Sequence, residues 1–164
     1  HDNTGGKCTI TSDPIISDGI VYYESVFEKH DRYNFGIGIA DSTVVFQPNK
    51  EPGEDENKGK TVRYWRSGQL WHINVYGSPW NQNFVCGQRI GAEVNMSSSP
   101  RKLTFFIDDV EQQYYVINIP QAIRFWSYIY DPNSSFRVTR FERRSSSSAH
   151  RVKGSRGLEW GKEW

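Results

Sequence analysis

Ile90-Gly-Ala-Glu-Val-Asn-Met96 changes character at every step: Ile90, Ala92, Val94 and Met96 are apolar, while Gly91, Glu93 and Asn95 are polar or lack a side chain. A period of two places the apolar set on one face of a pleated strand, so this segment predicts a strand packed on a core by one side. The flanking sequence continues the pattern. Gly19-Ile-Val-Tyr-Tyr-Glu-Ser-Val-Phe-Glu28 is rich in β-branched and aromatic residues and follows Asp18-Gly19. Asn34-Phe-Gly-Ile-Gly-Ile-Ala-Asp41 sets Phe35, Ile37 and Ile39 on one face, and Gly36 and Gly38 leave room for a close neighbour on the other. Thr61–Arg66 and Leu70–Tyr76 flank Ser67-Gly68 as a hairpin, and Lys102–Ile107 and Glu111–Ile117 flank Asp108-Asp109 as a second one. Ile123–Tyr130 and Phe136–Arg143 complete about nine short strands. No segment has a helical period. The prediction is an all-β chain, an antiparallel β-sandwich with little or no helix.

Composition supports a folded domain. Of 164 residues, 36% are hydrophobic, but 15% are aromatic, with 6 Trp, 9 Tyr and 9 Phe. Rings that bury 150–250 Å² each can fill a core at this size. An aromatic-rich chain is not a disordered one, and no run of about 18 apolar residues would span a membrane as a helix. The net charge of +1 conceals an asymmetry. From Arg137 to Trp164 there are 8 Lys/Arg against 3 Glu, or +5, which leaves −4 on the remainder. The body is thus no general phosphate-backbone binder, and only the tail could be one. The expected division is a domain over 1–143 and a Ser-rich basic tail over 144–164 that carries Trp160 and Trp164. Two cysteines, Cys8 and Cys86, are too few for a disulfide framework or a zinc site. With no secretory leader in view, the expected setting is cytoplasmic or nuclear, and a start without Met suggests a domain cut from a longer chain.

Residues for chemistry are sparse. His1, His30, His72 and His150 show no metal-ligand spacing, and there is no nucleophile elbow and no phosphate-cradling glycine loop. His72, between Trp71 and Ile73, reads as a hydrogen-bonded core histidine. The acidic clusters Glu54-Asp55-Glu56 and Asp108-Asp109 read as solvated turns rather than as a glycosidase pair. These observations predict no enzyme, no metal and no cofactor. Tyr64, Trp65, Trp71, Trp80, Phe125, Trp126, Tyr128 and Tyr130 read mostly as core and cross-strand pairs, with a sugar-stacking or peptide-binding face as the other option. The polar stretch Gln47–Lys60, about fourteen residues, is long for a connection and so is expected to be functional or mobile.

The ordered set of segments resembles the SPRY (B30.2-type) domain. Gly19-Ile-Val-Tyr-Tyr-Glu-Ser-Val, Phe35-Gly-Ile-Gly-Ile-Ala-Asp and Tyr64-Trp-Arg-Ser-Gly-Gln-Leu-Trp-His are similar to successive strands of that family. Gly87-Gln-Arg-Ile-Gly91, Glu93-Val-Asn-Met, Leu103-Thr-Phe-Phe and Phe136-Arg-Val-Thr-Arg-Phe follow in its order, from about Cys8 to Phe141. Gln88, Asn95 and Asp108-Asp109 depart from it, at turns and exposed faces. The resemblance implies a bent antiparallel sandwich that acts as a non-catalytic protein-interaction module, gripping a peptide or protein with loops at one end. It points to Asp13 and Pro14, to Ser42 and Thr43, to Lys58 and Lys60, and to Asp131 and Asn133 beside Tyr130 as an aromatic anchor. Two alternatives remain: a carbohydrate-binding sandwich, and nucleic-acid contact through the tail with bases stacked on Trp160 or Trp164.

Overall fold

A computed structural model describes every residue from His1 to Trp164. The strands are β1 (Cys8–Thr11), β2 (Ile20–Glu28), β3 (Gly36–Asp41), β4 (Thr61–Trp65), β5 (Leu70–Trp71) and β6 (Arg89–Asn95), then β7 (Lys102–Ile107), β8 (Val110–Glu111), β9 (Tyr114–Ile117), β10 (Ile123–Ile129), β11 (Ser135–Arg144) and β12 (Arg156–Glu159). The one helical element is a 3-10 turn at Asp55–Lys60. A five-stranded sheet runs β1-β10-β3-β4-β5, and a seven-stranded sheet runs β11-β2-β6-β7-β9-β12 with β8 beside β7. All pairs are antiparallel except β9–β12. The two sheets form the sandwich that the alternating pattern predicts.

The core lies between them. Ile37, Ile39, Val62, Tyr64, Phe125 and Ile123 from one sheet meet Val21, Tyr23, Phe27, Ile90, Ala92, Val94 and Phe105 from the other. Ile90, Ala92 and Val94 are fully buried, so the period-two run faces inward as expected.

The outer face of the five-stranded sheet is buried too. Gly36 and Gly38 lie in the middle strand, and the indoles of Trp65 and Trp126 lean over them, with centroids 6.1 Å apart. A Cβ on Gly38 would stand 2.5 Å from Trp126 and 1.8 Å from the Val62 carbonyl oxygen. The Gln47–Lys60 stretch is therefore no free loop. Val44 and Phe46 bring the chain onto Trp126, and Pro52 is buried. Gly53 lies against the guanidinium of Arg63. Arg63, 3% exposed, donates through Nη2 to the His72 carbonyl, and burial pulls its pKa down to about 10.

Two hairpins differ from expectation. The Leu70–Tyr76 strand stops at Trp71, after which the chain leaves the sheet. The Asp108-Asp109 turn is tight, with both residues left-handed (φ 48° and 67°), but its second arm breaks at Gln112. The Gln112 side chain is buried there, accepts from the Gln82 N–H at 2.9 Å and donates to the Val110 carbonyl at 3.0 Å.

Residues 144–164 pack onto the body. Glu93, 2% exposed, accepts from Ser147 Oγ at 2.6 Å and from the Ser148 N–H at 3.0 Å. Glu111 accepts from the N–H groups of His150 and Arg151 at 2.6 and 2.9 Å. β12 then extends the large sheet, Leu158 enters the core, and Trp160 and Trp164 close on His72 at 4.7 and 5.0 Å between centroids. His72 Nδ1 bonds the Thr61 carbonyl at 2.9 Å, so its proton sits there and Nε2 accepts from the Gly161 N–H at 2.9 Å.

Two expectations follow. Gly38→Val forces a side chain into a carbonyl and an indole, and should cost about 3 kcal/mol or more in urea unfolding. Burial holds the pKa values of both His72 and His30 below the ordinary histidine value. As pH falls below about 6.5 the unfolded chain takes up protons that the folded chain refuses, so stability is full above that pH and declines beneath it. The urea midpoint should drop between pH 7 and 5.5, and His72→Gln should flatten that slope in part, leaving the His30 contribution.

Candidate functional site

The residues singled out from the sequence fall at two places. β10 fixes the geometry: its first residue, Ile123, pairs with Asp41, and its last, Ile129, pairs with Cys8. Asp13 and Pro14 follow β1 at the Ile123 end, where the Ile16 backbone bridges Ile123, and both are exposed. The Ser42 N–H donates to the Ala122 carbonyl at 3.0 Å, at that same end. Thr43 donates its N–H and its hydroxyl to Asp41 Oδ1, at 2.9 and 2.7 Å. Lys58 and Lys60 lie exposed on the 3-10 turn just before β4. Thr43, Gln47, Asp55, Glu56 and Lys60 border an open depression of about 440 Å³. Its lining is polar and mixed in charge.

Tyr130, Asp131 and Asn133 stand at the opposite end of β10, roughly 23 Å away at 3.3 Å per residue. The nine residues do not form one surface, because a strand separates them. Of the three, Asp131 points inward and is 1% exposed. Its carboxylate accepts from three successive backbone N–H groups, those of Asp31, Arg32 and Tyr33, at 3.1, 3.3 and 3.2 Å. Successive amides turned toward one point form a nest for an anion. His30 Nδ1 lies 3.9 Å from the same carboxylate, with a ring that burial keeps neutral. Asn133 is exposed and left-handed (φ 58°), and its N–H donates to the Asp2 carbonyl at 2.7 Å.

The nest holds the 29–34 connection so that Tyr33 lies on Tyr130, with ring centroids 4.1 Å apart. Tyr33 remains 47% exposed. Beside this pair Arg66 rests its guanidinium over the Phe35 ring at 5.0 Å and reaches the Tyr33 carbonyl at 3.5 Å. Asp31, Arg32, Tyr33, Arg66, Trp71 and Val85 border a depression of about 540 Å³. Tyr130, Asp131 and, among the aromatics, Trp71 are named from the sequence, but Tyr33 and Arg66 are not. The signal was Lys29-His-Asp-Arg-Tyr-Asn34, a polar connection between two strands that contains a lone aromatic residue.

Asp131→Ala strips three donors of their acceptor. It should lower stability by about 2–4 kcal/mol in urea unfolding, and should broaden the Tyr33 and Tyr130 ring signals by NMR while β2 and β10 stay folded.

No family model matches the chain, and no curated protein matches it in sequence. Solved structures are. The chain is similar to the SPRY domain of human HERC1, with a TM-score of 0.59 at 15% identity, over 87% of this chain and 86% of that one. It is also similar to the TRIM65 PSpry domain, with a TM-score of 0.56 at 14% identity, over 80% of this chain and 70% of that one. Likeness at that level of identity lies in the arrangement of strands, and by that arrangement the chain has the SPRY-domain fold.

Proposed function

We propose that the chain is a protein-interaction module that grips an extended peptide segment at the Tyr33–Tyr130 end of the sandwich. The observation that carries this reading is the closely packed, tilted tyrosine pair, half-exposed at Tyr33, whose loop is held by a buried carboxylate. A loop already ordered by the fold gives up little conformational freedom on binding, so its contacts convert more fully into affinity. Tyrosine and arginine beside one another are the residue types that dominate interaction hot spots. Arg32 and Arg66 next to the rings favour a partner segment with an apolar residue for the tyrosines and an acidic group beside it. Asp13, Pro14, Ser42, Thr43, Lys58 and Lys60, at the far end, contribute only to a partner long enough to reach both ends.

Two facts make the alternatives weaker. Of the eight aromatics that a sugar-stacking face would draw on, Tyr64, Trp65, Phe125, Trp126 and Tyr128 are each 1% exposed or less, which leaves only Trp71, Trp80 and Tyr130. In the tail, Arg144 pairs with Glu93 and Glu142, and Trp160 and Trp164, on which bases would stack, close on His72.

Peptides selected from a display library against the domain provide the test. Binding to isotope-labelled protein should shift the amides of residues 30–34, 66–69 and 130–133. Tyr33→Ala and Tyr130→Ala should each weaken binding by roughly tenfold or more, with stability changed by less than about 1 kcal/mol. Shifts confined to a sheet face, or unchanged affinity in both variants, would refute the assignment.

A further inference from the structure

The two lateral sides of the sandwich are finished differently. On one, β12, Trp160 and Trp164 close the gap between the sheets against His72. On the other, β1 and β11 are edge strands with no neighbour beyond them. β11 is the longer, ten residues from Ser135 to Arg144, paired only with β2. Along this open side Ile10, Ile15, Val138 and Phe141 are each about 40% exposed.

The register shows which backbone groups of β11 are free. The Phe27 carbonyl accepts from the Gly87 N–H at 3.0 Å, so Phe27 directs its backbone away from β11. Phe136, opposite Phe27, is then in a non-hydrogen-bonded pair and turns its own N–H and C=O outward. By alternation Val138 does the same, and after the bulge at Thr139 so do Phe141 and Arg143. Phe136 and Phe141 also pack toward the core, against Phe27 and Tyr23. Arg137, Arg140, Glu142 and Arg144 point to the opposite face of the sheet, where Arg140 and Arg144 lie over the Tyr22 ring.

We infer that the free edge of β11 is a second docking site, independent of the loop end, that adds an extended acidic strand from a protein partner. An added strand would place alternate side chains level with Phe136, Val138 and Phe141, over the apolar gap toward Ile10, where apolar residues fit. Those between would stand beside Arg137, whose partner Glu28 is itself exposed, where Asp or Glu fits. β11 holds four arginines, Arg137, Arg140, Arg143 and Arg144, against the single Glu142. Arg137 and Arg143 pair with the exposed acids Glu28 and Asp18, whose hold in water is weak and exchangeable, whereas Arg140 and Arg144 are held by the buried Glu24 and Glu93. The same charges disfavour a second copy of this chain, since β11 paired with itself would set arginine rows side by side.

The probe is an acetylated and amidated ten-residue peptide of alternating Glu and Val, with its Lys-Val counterpart as the control, titrated into isotope-labelled full chain. The Glu-Val peptide should bind and shift residues 136–143 and Ile10, leaving residues 30–34 unmoved, and the Lys-Val peptide should not bind. Val138→Pro removes an N–H that β2 does not use, and should abolish binding. Arg137→Glu, at an exposed position, should weaken binding of the Glu-Val peptide by roughly tenfold and confer binding of the Lys-Val one. Equal binding of both peptides, shifts at the Tyr33–Tyr130 end alone, absence of binding, or self-association of the free chain through β11 would each overturn the inference. Shifts at the tyrosine end alone would leave the loop-end proposal standing.

Discussion

The carboxylate of Asp131 organises the end of the sandwich at which the candidate site stands. A charged group with 1% of its surface exposed is costly to bury unless donors replace the water it gives up. Here the replacement is the backbone of residues 31–33, so the group that needs donors and the loop that needs fixing satisfy one another. The loop bridges β2 and β3 of different sheets, and Asp131 sits just past β10. One interaction therefore ties together both sheets and sets Tyr33 against Tyr130.

A second constraint shapes the rest: a sheet with aromatic residues on both faces must be covered on both. The five-stranded sheet meets this with the 43–53 segment lying over Trp65, Trp126 and Tyr128. The large sheet carries Glu24 and Glu93 on its outer face, each with 2% or less of its surface exposed, and meets the same need with arginines and the serine-rich segment. Low-complexity sequence that looks like a spacer is in this fold a set of short donors for a buried carboxylate. The positive charge of the last 28 residues is answered in part by the body's own acids, which leaves a smaller field around the tail than its composition suggests.

Much of the fold could be read from the residues because strand periodicity is a local property. Ile90 to Met96 needs only its own pattern to declare its buried side, and the Gly36–Gly38 spacing correctly announces a close neighbour, Trp126. What could not be read was long-range. Nothing in Arg156–Glu159 signals a parallel pairing with Tyr114–Ile117, since the partner supplies half of the argument. The 70–76 strand shortens because Arg63 and the tail engage residues 72–74. The candidate site was half legible. Tyr130 and Asp131 are named from a resemblance in one loop, but Tyr33 owes its place to a carboxylate a hundred residues distant. The grouping of nine residues into one surface failed for a simple reason: β10 lies between them.

Hydrogen exchange at the amides of Asp31, Arg32 and Tyr33 tests this account most directly. These residues are on a polar, solvent-facing connection outside any strand, where unprotected amides exchange at near random-coil rates. If the buried carboxylate organises the loop, the three amides are protected well above their neighbours and lose that protection in Asp131→Asn. Exchange at open-loop rates in the unaltered chain would contradict it.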